Sequence, residues 1–123
     1  VHTILYLPGE SKAQMLETIE YLNLQEIQGI KLQLLHVLRD TDLYNDYQRY
    51  PFPLPSMEEY LDFLGTCLCA LRPDIVVHRL TGDGPKPLLV APLWTSNKRL
   101  VLNQMGKVFK EKDIWQGKTC RTL

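Results

Sequence analysis

Apolar positions change their period several times along the chain, and each change marks a new element. Thr3-Ile-Leu-Tyr-Leu7 is a short, nearly unbroken apolar run, the pattern of a buried strand. The run ends at Pro8-Gly9-Glu10, and Ser11 followed three residues later by Gln14 predicts a capping-box start to a helix. In that helix Met15, Ile19 and Leu22 recur at three-to-four spacing beside Leu16, while Lys12, Glu17 and Glu20 fall on the wet side. Gly29 separates the helix from residues 30–37, whose largely apolar content predicts a strand covered on both faces. Residues 39–55, rich in tyrosine, aspartate and proline, read as a long loop with a helical turn near 44–47.

The most regular pattern follows. Ser56 and Glu59 form a second capping box, and Tyr60, Phe63, Leu64, Cys67, Leu68 and Leu71 make one apolar stripe at helical spacing. Pro73 ends that helix, and residues 74–80 have the β-branched content of a third strand. A last helix is expected over residues 95–112, with Val101, Met105, Val108 and Phe109 turned inward. Strands alternating with crossover helices predict an α/β fold with about three parallel strands and covering helices. No internal repeat or low-complexity tract interrupts it.

In such a fold, ligands bind beyond the carboxyl ends of the strands. The candidates there are Pro8, Gly9 and Glu10 at the end of the first strand, His36, Val37 and Leu38 at the end of the second, and residues 79–86 at the end of the third. The third loop gathers Gly82, Asp83, Gly84, Pro85, Lys86 and Pro87 between two apolar runs. Its glycines allow close backbone approach to a ligand, and Asp83 and Lys86 supply polar recognition. Each residue also has a plainer role open to it. Pro8 and Gly9 suit a strand-to-helix turn, Glu10 suits a helix amino terminus, His36 suits a satisfied buried imidazole, and Asp83 suits a turn cap. Because neighbours on a strand face opposite ways, at most one of His78 and Arg79 enters a barrel lumen.

Composition narrows the partners. The 123 residues, 45% of them hydrophobic, make one domain with a modest core. Fourteen basic residues balance fourteen acidic ones, so no overall field favours nucleic acid or a membrane surface. Cys67, Cys69 and Cys120 are too few and too uneven for a disulfide framework, which points to a reducing, cytoplasmic setting. There is no apolar run near the ~20 residues a membrane helix needs, and no signal segment. The chain opens at Val1 without methionine and enters a strand almost at once, the expectation for an internal starting point. No Ser/His/Asp order, Walker loop or zinc spacing is present.

Leu5-Tyr-Leu-Pro-Gly-Glu10, residues 29–38 (Gly-Ile-Lys-Leu-Gln-Leu-Leu-His-Val-Leu), residues 78–85 (His-Arg-Leu-Thr-Gly-Asp-Gly-Pro), Ala91-Pro-Leu-Trp94 and Trp115-Gln-Gly-Lys118 occur in this order. As a set they resemble the carboxy-terminal half of the YhcC-like family of radical SAM proteins. That family is similar in its core to the oxygen-independent coproporphyrinogen oxidases and the elongator catalytic subunit. The resemblance implies a partial (β/α) barrel in which a [4Fe-4S] cluster cleaves S-adenosylmethionine reductively. It also implies that Pro8, Gly9, Glu10, His36 and Val37 line the S-adenosylmethionine pocket, and that His78, Arg79, Thr81, Asp83 and Lys86 face the substrate. Residues 1–123 would then be the carboxy-terminal part of that barrel, and the missing amino-terminal half its partner.

The chain departs from the family in two ways. Three closely spaced cysteines must hold the cluster, and Cys67-Leu-Cys69 has the wrong spacing and lies in a predicted helix, so the cluster ligands are absent from this chain. Tyr6 stands where the family commonly has glycine. Three readings follow: an inactive carboxy-terminal fragment of a radical SAM enzyme, a self-standing non-catalytic α/β binding module, and a phosphate-binding barrel fragment using the amides of residues 82–84. The fragment reading predicts an unpaired sheet edge and self-association through it. An RNA target would rest on analogy with the elongator relative alone.

Overall fold

A computed structural model describes residues 1–81 and 86–120. Strand β1 (His2–Leu5) leads through helix α1 (Lys12–Asn23) into β2 (Gly29–Leu34). Helix α3 (Met57–Ala70) then leads into β4 (Val76–Arg79). The three strands form a parallel sheet ordered β1-β2-β4, with Leu5 opposite Leu34 and Val76 opposite Gly29. This is the expected α/β partial barrel of three parallel strands with covering helices. Both capping boxes form: Ser11 Oγ accepts from Gln14 N at 3.2 Å and Ser56 Oγ from Glu59 N at 3.1 Å, each answered by the return bond from the third residue's side chain.

Alternation along the strands decides which face is dry. Thr3, Leu5, Ile30, Leu32 and Leu34 are buried against Met15, Ile19 and Leu22 of α1 and Tyr60, Phe63, Leu64, Cys67 and Leu71 of α3. The intervening residues Ile4, Lys31, Gln33, Val76 and His78 are exposed or half-buried. The expectation that β2 is covered on both faces is therefore corrected. Lys31 and Gln33 interleave with the buried residues, so one face carries polar side chains and only the other is packed. Ile4 and Val76, 42% and 57% exposed, are left on the uncovered face.

Three further features depart from the sequence reading. The second strand stops at Leu34, and β3 (Val37–Leu38) pairs antiparallel with β5 (Leu89–Ala91) in a separate two-stranded sheet. The loop expected over residues 39–55 contains helix α2 (Asp42–Arg49), longer than one turn. Thr41 starts it by accepting from Tyr44 N at 3.1 Å, and Asp42 and Arg49 complement its dipole at the two ends. Leu93–Ser96 forms a 3-10 turn, so the last helix, α4 (Lys98–Glu111), begins only after Asn97, whose side chain accepts from Leu100 N at 3.2 Å. No helix among the described residues is long and apolar enough to cross a membrane.

The amino-terminal end of the sheet is tied by a polar network. Buried Asn23 donates to Ala70 O and accepts from Arg72 N, both at 2.8 Å, which joins the end of α1 to the end of α3. The Arg72 guanidinium in turn donates to the carbonyls of Asn23 and Ile27 at 2.7 and 3.3 Å, and to Asp74 at 2.6 Å. The segment carrying Trp115-Gln-Gly-Lys118 straps the same end: Gln116 donates to Arg72 O and Ile75 O, and Gly117 N to Leu68 O. Gly117 has a φ of 91°, and a Cβ there would stand 2.9 Å from the Pro73 ring, so the strap needs glycine. Stability is concentrated at this end, leaving the carboxyl ends of the strands for chemistry.

Candidate functional site

Beyond β1, the bond from Glu10 N to Leu7 O at 3.0 Å closes a turn through Pro8 and Gly9. Gly9 has a φ of 79°, and no atom lies within 4 Å of the place a Cβ would occupy. Pro8, Gly9 and Glu10 line a shallow open groove with Gln14, Glu17 and Tyr21. Beyond β2, His36 is half-buried, while Val37 is fully buried opposite Ala91.

The residues of β4 divide between two cavities. His78 lies on the uncovered face against Gly29, where a Cβ would come within 2.6 Å of its Nε2, and lines a depression with His2, Gln28, Lys31 and Val76. Arg79 and Thr81 line a different cavity, floored by Leu34, Tyr60 and Val101 and walled by Trp94 and Thr95. The two neighbours thus face opposite ways, as strand alternation requires. The expected substrate-facing residues do not form one cluster. Lys86 is exposed in a 3-10 turn, Lys86–Leu88, and Asp83, with residues 82, 84 and 85, lies outside the described residues.

Tyr6 directly follows β1. Its φ of 67° is the left-handed conformation that glycine adopts at no steric cost. It is held by aromatic contacts, edge-on to Phe63 at 5.8 Å and tilted to Tyr60 at 6.3 Å, and its N–H points at Met15 Sδ, 3.1 Å away. The buried hydroxyl has no hydrogen-bond partner among the described residues, and its pKa is pushed up to about 12, by burial first and by the Glu59 charge second. Tyr6→Phe is therefore expected to leave stability unchanged or raise it by up to about 1 kcal/mol. Tyr6→Gly should lower it by about 2 kcal/mol, because lost aromatic packing outweighs relieved strain. Urea denaturation of both variants checks the pair.

The cysteines do not suit a cluster. Cys67 and Cys69 are buried on α3, and burial pushes the Cys67 thiol up to about 12, far from the thiolate a metal requires. Among the described residues no three of His, Cys, Asp and Glu come together to hold a metal ion. The described residues therefore offer no set of ligands that fits a [4Fe-4S] cluster.

Comparison with known proteins agrees with this architecture. The Radical_SAM C-terminal domain matches residues 27–111. Uncharacterized protein YtqA of Bacillus subtilis is 35% identical over 122 residues, which cover 99% of this chain and 38% of that protein. Protein YhcC of Escherichia coli is 26% identical over 113 residues, 92% of this chain and 37% of that one. Archaeal Elp3 of Methanocaldococcus infernus, solved with an amino-terminal deletion, superposes on 94% of this chain and 27% of its own with a TM-score of 0.70 at 16% identity, and so shares the fold. The chain spans less than two fifths of the length of the curated relatives it matches. With residues 27–111, more than half of its length, matched by that domain, the chain belongs to the radical SAM C-terminal domain family.

Proposed function

We propose that this chain is the carboxy-terminal part of a radical SAM enzyme, forming one wall of its S-adenosylmethionine pocket and part of its substrate-facing surface, and inactive alone. The observation that carries this reading is the one-sided sheet: helices cover one face, and Ile4, Lys31, Gln33, Val76 and His78 occupy the other. In a (β/α) barrel the helices lie outside and the bare face is the lumen, closed by strands from elsewhere. An amino-terminal partner segment would supply those strands and the cluster cysteines.

Within this reading the turn at Gly9 fits the edge of a nucleoside-sized ligand, since the space a side chain would fill there is open. Pro8 and Glu10 flank it, and His36 stands at the next strand end. A cluster held by the amino-terminal half would supply the electron for reductive cleavage of S-adenosylmethionine. This chain's residues would bind and orient. We place the parent protein in the cytoplasm, where three cysteines outside any disulfide stay reduced.

The test compares the chain alone with the chain joined to the segment preceding it in its parent reading frame, with the cluster reconstituted. The joined protein should release 5′-deoxyadenosine from S-adenosylmethionine under reducing conditions, and the chain alone should release none. If the joined protein also releases none, or if the parent frame holds no cysteine triplet, the binding-module reading replaces this one. The chain alone should associate through its edge and bare face. A monodisperse monomer at high concentration by light scattering would contradict that expectation.

A further inference from the structure

The cavity that receives Arg79 lies on the helix-covered side of the sheet, away from the bare face, and its construction is polarised from floor to mouth. The floor is Leu34, Tyr60 and Val101, each at most 4% exposed. The Tyr60 hydroxyl proton is already engaged, donating to Leu80 O at 2.7 Å. Trp94 forms an aromatic wall held in place, its Nε1–H donating to Pro55 O at 3.1 Å and its ring packed on Tyr60 at 5.7 Å. The mouth holds Arg79 and Lys98, both exposed. Lys98 is also the first residue of α4, so the positive end of that helix's dipole adds to the two side chains.

We propose that this cavity binds a single aromatic ring carrying an acidic group, a carboxylate or a phosphate. Its volume of about 160 Å³ suits one ring and little more. A ring entering it covers the apolar floor and stacks on an indole that loses no freedom, since Trp94 is already pinned. An acid on that ring projects to the mouth, where a guanidinium and an ammonium meet it. Arg79 and Lys98 each already interact within the chain, so the acid shares them and the affinity is modest. A neutral ring lacks the charge term, and a bare anion lacks the floor, so each alone binds more weakly.

The test uses Trp94 as its own reporter in a Trp115→Phe background, because Trp115, 53% exposed, is the second tryptophan. Phenyl phosphate should change Trp94 emission saturably with a Kd on the order of 1 mM. Benzyl alcohol and inorganic phosphate should each bind at least about tenfold more weakly. Arg79→Gln and Lys98→Gln should each lower the affinity for phenyl phosphate about fivefold. Leu102→Glu, at the exposed rim, should abolish binding by placing a like charge there. All three positions are exposed, so the fold is expected to survive, as circular dichroism will verify. The proposal is overturned if phenyl phosphate gives no saturable signal well above that concentration, if inorganic phosphate binds equally well, or if affinity is unchanged in all three variants. None of these outcomes bears on whether the joined protein cleaves S-adenosylmethionine, so the two proposals fail independently.

Discussion

At pH 8, Cys67 is expected to react with iodoacetamide at least about tenfold more slowly than Cys120. Burial lifts its pKa from 9.0 to about 12, and three pH units reduce the reactive thiolate about 1,000-fold before lost access is counted, a loss that the greater nucleophilicity of a higher-pKa thiolate partly offsets. Cys120 is half-exposed near the end of the described chain. Mass spectrometry of the alkylated peptides gives the ratio. If Cys67 reacted at a rate close to that of Cys120, it would be reachable by solvent, and the argument that it cannot serve a cluster would fall.

The same shift makes stability depend on alkaline pH. A thiol whose pKa is raised in the folded state binds its proton more tightly there than in the unfolded chain. Its contribution is therefore complete below pH 9 and is lost as the pH rises from 9 toward 12. Tyr6 acts in the same direction between pH 10 and 12, and Tyr60, raised chiefly by burial, does so as well. For Cys67 alone, three units correspond to about 4 kcal/mol at the upper limit. The urea midpoint should fall steadily from pH 8.5 to 11 for the native chain. It should fall less for Cys67→Ala, although that variant starts from a lower value because of the cavity it leaves.

Asn23→Leu should destabilise the chain by about 3 kcal/mol and lower the melting temperature by roughly 10 °C. The amide joins two elements far apart in sequence, and its loss leaves Ala70 O and Arg72 N–H unpaired beneath α3. A leucine of similar volume restores neither bond. Arg72→Met should be costly too, since the guanidinium serves the carbonyls that end α1. The double variant should cost less than the two singles together, because both remove one network. A loss below about 1 kcal/mol for Asn23→Leu would show that the strap through Gln116 and Gly117 holds this end without it.

The lengths of the elements trace to particular local signals. The capping boxes at Ser11 and Ser56 and the stripe from Tyr60 to Leu71 depend on interactions within one helix, so they are legible in order along the chain. Helix α2 was harder to see because its 8 residues carry no buried side chain, and its cap at Thr41 with charges at both ends replaces an apolar stripe. The β3–β5 pair joins segments about fifty residues apart, and neither has more than 3 residues with which to display a period.

The candidate site shows the same division. Local patterns in the chain were enough to place the turn after the first strand, to show that His78 and Arg79 face apart, and to show that the sequence lacks three closely spaced cysteines, but not to find the end of the second strand, which stops at Leu34. Spatial partnership was decided only by the tertiary structure. Gly29 admits the His78 ring, Tyr6 takes a left-handed backbone under aromatic cover, and Arg79 shares a cavity with Trp94 and Lys98. Periodicity describes the face a side chain presents, which is a property of one element. What meets that face depends on how far the chain travels before returning, and this is set by packing between elements.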